Sequence, residues 1–557
     1  MKKFVLTLAT FLVVILNAFA QNSELEKANF YLDLKQELTF QFQVKSSSEV
    51  AGFAEGMSII NYNPNCKTVL AWANKAQFKN FEKLNIPFTL VEAETQNEAA
   101  TIYDGKPLQK RTASSLDFPL SFYPTYSEYA QQMQYFENEY PNLVDQFSIG
   151  RTTEGDKEIL FVKISDNVNT TEQEPKLMFT SSMHGDEIAG YPMMLTLIDY
   201  ILTVYSDAKH TDHTRIKNLV ENTEIWINPN ANPDGTYYNS PDNTSVANAR
   251  RGNANNVDLN RNYPDNVVGA HPDGEAYQLE TLHFMQLAEE QHFVISANFH
   301  GGQELVNYPF DNAYTSQYEH PDGDWFELVG MEYAAHANTD ANNDTAAKNK
   351  PTYMTTDKDN DIFPSSGVTH GAEWYRVYGG RQDYMNYYHQ CKEITIELSE
   401  EKILPESKLV DYWHYNKDAL LNFLTQGTYG FKGEVKNALT EEPIEGATVT
   451  LVNHDNFGSH TITEDIFGTY YRPVKAGTYD IKIEAPFYES ITLKNQTIAD
   501  YQTQTLKDVM LAPVIIAKPE ITIVEVEQDI TAELQWSGNS NSSEIQTEKA
   551  DARLERK

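Results

Sequence analysis

The sequence predicts an α/β protein: a mixed, mostly parallel central sheet flanked by helices, with a small α+β module before it and an all-β sandwich after it. Three observations carry this reading. From about residue 116, apolar runs of strand length alternate with stretches of helical period, as in a sheet buried on both faces. Before residue 112 the stretches are short and mixed. After residue 428 helical periodicity is lost, and short strands separated by turns take over. At 557 residues the chain is also too long for a single core.

Residues 1–20, MKKFVLTLATFLVVILNAFA, set Lys2 and Lys3 before an apolar run that ends in Ala-Phe-Ala. That is the pattern of a secretory signal peptide cleaved after Ala20. No later stretch is apolar enough to span a bilayer. The expectation is an exported, soluble protein, periplasmic or extracellular, with no transmembrane segment. Residues 24–112 hold strand-like stretches (LTFQFQV, CKTVLAWAN, IPFTLVEAE) and one helical stretch, KAQFKNFEKLN. This module has no cluster of His, Cys or carboxylates, and its polar end, AETQNEAATIYDGKPLQKRTASS, reads as a linker. Residues 116–425 form the α/β domain. EILFVKIS, KLMFTSS, TEIWINPN, HFVISANFH and KEITIELSE read as buried strands. YSEYAQQMQYFENEYPNLV, YPMMLTLIDYILTVYS and YQLETLHFMQLAEEQ read as helices. Residues 428–513 form the sandwich, and 514–557 read as a polar tail without order.

The formal charge is −37, from 80 acidic against 43 basic residues. Such a field repels phosphate and argues against nucleic acid as partner, while favouring cationic substrates. The two cysteines, Cys66 and Cys391, fall in different domains. A disulfide framework is therefore not expected, and zinc binding through thiolates is excluded by count.

In α/β sheets, ligands bind where loops leave the carboxyl ends of strands. After KLMFTSSM come His184 and Glu187, three apart, with Gly185 between them to permit a tight turn. After HFVISANF comes His300. A lone His-x-x-Glu pair is ordinary surface polarity. A second histidine ending another strand makes these three candidates for a catalytic zinc site with one position open. The stretch RRGNANNVDLNRNYPD gathers Arg250, Arg251 and Arg261 in a chain short of positive charge. They are either turn residues or forked donors for a carboxylate. Glu397 lies inside the apolar strand ITIEL, either paired structurally or kept for chemistry. Tyr375 precedes a Gly-Gly loop that would let it move.

Five ordered blocks, HGDE, RGNANNVDLNRNYPD, SANFHGGQELVNYPFD, HGAEWYRVYGGRQDYMNY and ITIELS, together resemble the metallocarboxypeptidase family (the M14 zinc carboxypeptidases). They are closest to its regulatory branch, typified by carboxypeptidases D, E, M and N. The resemblance covers roughly 120–425 and implies the zinc carboxypeptidase fold with one Zn2+ held by His184, Glu187 and His300. It implies Glu397 as general base, Arg251 at the oxyanion, Asn260 and Arg261 on the substrate's terminal carboxylate, and Tyr375 closing over it. Residues 428–513 resemble the transthyretin-like domain that follows the catalytic domain in that branch.

The implied partners are the C-termini of peptides and proteins. In the branch, an Asp eleven residues after the second zinc histidine and a Gln near the mobile Tyr recognise basic side chains. Here these are Asp311 and Gln382, so C-terminal Arg or Lys is the expected preference. An Asx turn capping NYPFDN is the other reading of Asp311, and Arg381 beside Gln382 would weaken the preference if it pointed inward. Two alternatives stand beside the peptidase: a zinc amidase or peptidase acting on cell-wall peptides, and a catalytically silent peptide-binding module. The first module is either inhibitory or structural. Oligomeric state is not readable.

Overall fold

Strands of the central domain lie in one eight-stranded sheet. In chain order, four strands of the N-terminal module come first: β1 (Glu37–Gln43), β2 (Ser58–Asn63), β3 (Thr68–Asn74) and β4 (Phe88–Leu90). The central sheet then uses β5 (Val144–Arg151), β6 (Glu158–Ile164), β7 (Lys176–Ser181), β8 (Glu224–Asn228), β9 (Ile295–His300), β10 (Gln303–Tyr308), β11 (Val368–His370) and β12 (Lys392–Ser399). Its order is β11-β10-β12-β9-β7-β8-β6-β5. The middle of the sheet, β12-β9-β7-β8, is parallel, and antiparallel pairing sets in at β6 and between β10 and β12. The mixed, mostly parallel sheet of the sequence reading is thus present. This computed structural model describes residues 23–91, 116–356, 366–464 and 466–514, with Gln21 and the backbone of Glu520–Val526 and Asp529–Gln535.

Parallel central strands are buried on both faces, and β7 shows how the sequence achieves this. Leu177 and Phe179 join the core under helices Gly190–Ser206, Gly323–Asn343 and Glu406–Gln426. Met178, between them, points to the other side and packs with Trp226, Phe284 and Tyr384 beneath helices Leu279–Gln291 and Arg381–His389. The continuous apolar run is two half-patterns, one for each layer of helices.

The N-terminal sheet is antiparallel, in the order β2-β3-β1-β4. Helix Lys75–Glu82 covers it, started by a capping box between Asn74 and Gln77. Phe40, Phe78, Phe81 and Phe88 fill its core. The putting together of the C-terminal sandwich uses two four-stranded sheets around Phe431, Val449, Tyr470 and Ile483. A buried ionic cluster ties it to the central domain. Arg472 bonds Asp322 and Asp455, and Lys392 also reaches Asp322.

One expectation is corrected. The stretch 514–557, read as a polar tail without order, contains an antiparallel hairpin of Glu520–Val526 on Asp529–Gln535. Polar and apolar residues alternate throughout DITAELQ and, with one break at Val524, in EITIVEV, and that period supports strands despite the polar surroundings. The proposed signal peptide and linker lie outside the described residues. Among the described residues, no helix is long and apolar enough to cross a membrane.

Candidate active site

β7 and β9 run side by side, and the chain leaving their carboxyl ends brings His184, Glu187 and His300 together. The turn requires glycine at 185, because a Cβ there would lie 2.4 Å from the Gly235 carbonyl carbon. His184 Nδ1 is 2.8 Å from Glu187 Oε2 and 3.0 Å from His300 Nδ1. His300 Nδ1 is 2.9 Å from the same Glu187 oxygen. Two imidazole nitrogens facing each other across one carboxylate oxygen, all buried, make a donor set for zinc. Burial pushes His300 down to about 4, so its ring is neutral with a lone pair to offer. Burial opposes ionisation of Glu187, but His184, His300 and Arg251 outweigh it and hold the carboxyl well below the usual range. Asp258 Oδ1 stands 2.9 Å from His184 Nε2 and so keeps Nδ1 turned to the site. The residues fit the ion.

Glu397 stands on β12 directly beside His300 on β9. Its Oε2 is buried without a hydrogen-bond partner. Burial first, then the charge of Glu187, pushes its carboxyl well above the usual range, against Arg251 and Lys402. Arg251 donates from Nε to Asp258 at 2.8 Å and from Nη1 to Glu187 Oε1 at 3.0 Å. Asp258 also accepts the Asn260 amide at 2.9 Å, which shapes the turn carrying Asn260 and Arg261. Glu397, Arg251, Asn260, Arg261 and Tyr375 line one cleft with the zinc donor set, of about 510 Å³ with its open mouth included.

Farther along the same cleft lies Asp311, whose Oδ1 accepts from Asn307 Nδ2 at 3.0 Å and Gln382 Nε2 at 3.1 Å. Arg381 turns away. Its guanidinium binds both oxygens of Glu393 at 3.0 and 3.1 Å, and only its amide reaches the site, donating to Asn260 Oδ1 at 2.9 Å. It does not offset Asp311. The sequence reading missed Asp258, although it lies two residues before Asn260 in a motif already singled out. It also missed Lys402, whose Nζ is 3.3 Å from Asp186 and 3.8 Å from Glu187.

The zinc carboxypeptidase profile matches residues 129–419, more than half of the chain. The chain belongs to the zinc carboxypeptidase family. A carboxypeptidase regulatory-like domain matches residues 430–512. Carboxypeptidase D of Mus musculus is 34% identical over 402 residues, covering 71% of this chain but 27% of the relative. The chain thus spans about a quarter of the length of the carboxypeptidase D relatives it matches. The carboxypeptidase N catalytic chain of Rattus norvegicus is 31% identical over 425 residues, covering 69% of this chain and 86% of that one. Among solved structures, carboxypeptidase A from Helicoverpa armigera shares the fold, with TM-score 0.50 and 18% identity, over 69% of this chain and 96% of that one. Members of the family depend on zinc, and the buried group of His184, Glu187 and His300 has the donors and spacing to hold such an ion.

The N-terminal module lies over the cleft. Arg261 Nη2 donates to the Ile59 carbonyl on β2 at 3.0 Å, and Ile60 lines the cleft. Ser58 donates to Asp258 Oδ2 at 2.6 Å, and Trp374 Nε1 to Asn61 Oδ1 at 3.1 Å. Tyr378 is buried in the module's own core, and Tyr375 packs against it. β2 therefore occupies the space beside the Arg261 guanidinium.

Proposed function

We propose that the chain is an exported zinc metallocarboxypeptidase that removes C-terminal residues from peptides, with preference for Arg and Lys. The observation that carries this is convergence: a zinc donor set, an unpartnered carboxylate and two arginines share one cleft. Zinc, when bound, supplies Lewis acidity and makes water a nucleophile near neutral pH. Arg261 and Asn260 hold the terminal carboxylate, so the last peptide bond is the one presented. Glu397 takes the proton of the attacking water and hands it to the departing nitrogen. Arg251 donates to the carbonyl oxygen as negative charge grows on it, a contribution of about 3–4 kcal/mol for a comparable donor. Asp311 and Gln382 receive the cationic side chain, and Tyr375 closes the mouth.

The N-terminal module acts as a cover, and the arrangement described above is the covered form. Export rests on residues 1–20 and is checked by N-terminal sequencing of the mature protein, which should begin at Gln21. The activity is tested by the release profile from peptides ending in each residue type, run with and without a chelator, and beside muropeptides. Arg and Lys should lead, and chelation should stop release. Activity that survives chelation sinks the mechanism, and exclusive action on muropeptides favours the cell-wall reading.

A further inference from the structure

Beneath the proposed side-chain pocket lies a patch of carboxylates that the chemistry above does not use. Asp383, in the first turn of helix Arg381–His389, accepts the Asp311 amide at 2.9 and 3.0 Å and the Asn312 amide at 2.9 Å. Asp265 accepts from Asn312 Nδ2 at 3.0 Å and from the Gly379 amide at 3.1 Å. Asp311, Asp383 and Asp265 are all buried. The nearby guanidinium groups are engaged elsewhere: Arg381 on Glu393, Arg261 on the Ile59 and Asn260 carbonyls. Among the described residues, no lysine or arginine forms an ion pair with any of the three aspartates. Glycine at 371 brings the chain close, since a Cβ there would lie 1.9 Å from Asp311 Oδ1.

Resting on the basic preference proposed above, we infer that Asp383 is a positioning residue that aims Asp311 into the cleft, and that Asp311 must release a proton to solvent before a cationic side chain can seat. Preference for Arg and Lys is therefore gated by acid. With the Asp383 carboxylate held on the Asp311 amide, a second buried negative charge on the Asp311 side chain is disfavoured unless a cation joins it. The incoming guanidinium or ammonium is that cation. Asn307 on β10, Asn312 on its own loop, and Gln382 and Asp383 on the helix face Asp311. From the neighbouring segments come Arg261, Asp265, Glu393 and Tyr375, and from β12 comes Glu397. Burial first pushes the Asp311 carboxyl up to about 6; Glu393 and Asp265 add to this, against Asn307 and Arg261. Burial and the charge of Asp311 raise Asp383 well above the usual range.

The test uses the full chain and two peptides that differ only in a C-terminal Arg or Leu. The ratio of their kcat/KM values is followed from pH 5 to 8. The ratio cancels whatever the cover or Glu397 does to both substrates alike. It should fall as pH drops through about 6, approaching tenfold per pH unit, the limit for one proton. An Arg preference that stays flat across this range overturns the proposal and leaves the specificity reading intact. No Arg preference at any pH overturns both. For the positioning role, Asp383→Asn keeps an acceptor for the two amides and Asp383→Ala does not. At pH 8 the Asn variant should hold the ratio within about threefold of wild type while the Ala variant loses tenfold or more. Equal ratios in the two variants overturn it.

Discussion

Release of the cover should lower KM. A specific protease site placed between residues 91 and 116 would let the module be cut from the rest of the chain and diluted away. In the covered form the Ile59 carbonyl holds Arg261 Nη2 at 3.0 Å, so a substrate's terminal carboxylate must displace it. A hydrogen bond to a charged group contributes about 1.5–3 kcal/mol. That corresponds to roughly tenfold to a hundredfold in apparent affinity, since about 1.4 kcal/mol is a factor of ten. Release of C-terminal residues should therefore show KM falling by about tenfold or more. The kcat should change far less, because among the described residues Glu397 and the zinc donor set make no direct hydrogen bond to the module. Burial of Tyr378 in the module's core means cutting alone leaves the pieces associated, so separation has to be verified by size-exclusion chromatography. An unchanged KM after verified separation would refute the reasoning.

Glu397→Gln should abolish turnover while the protein still takes up one zinc, as read by metal analysis; a variant that turns over normally removes Glu397 from the chemistry. Asp258→Asn frees the His184 ring to turn, and zinc affinity should drop about 10- to 100-fold in a competition titration. Arg472→Ala leaves buried Asp322 to Lys392 and Asp455 to His454, and should cost about 3–5 kcal/mol in denaturant unfolding without altering substrate preference. Burial opposes ionisation of Asp322, but Arg472 and Lys392 outweigh it and hold its carboxyl below the usual range. The stability of this clamp is accordingly present above the ordinary carboxylate range and lost as pH falls below it, which a melting curve recorded from pH 7 to 3 would follow.

The α/β core was legible because its information is local. KLMFTSS, TEIWINPN and ITIEL are apolar on both faces, and only a strand buried between two layers requires that. The edges were not. β10 and β11 are short and mixed, and helices Gly323–Asn343 and Glu406–Gln426 carry so many polar residues that their apolar stripe is weak in the sequence. The hairpin after residue 514 was hidden for a different reason. Its composition is that of a polar tail, and only the two-residue period distinguishes it.

The site divides along the same line. His184, Glu187 and His300 announce themselves because a strand that ends in a ligand is unusual. Asp258 and Asp383 do not, because each acts through a neighbour, and a neighbour three-dimensionally close is seventy or more residues away in the chain. Arg381 is the instructive case. Its place beside Gln382 left open whether it pointed into the pocket; Glu393, twelve residues on and on β12, claims its guanidinium. Charge in a sequence says what a side chain offers; which partner takes it is decided by the fold. The cover follows the same logic: a backbone carbonyl has no sequence signature, so nothing in residues 58–61 could reveal that Ile59 would take the hydrogen bond of Arg261.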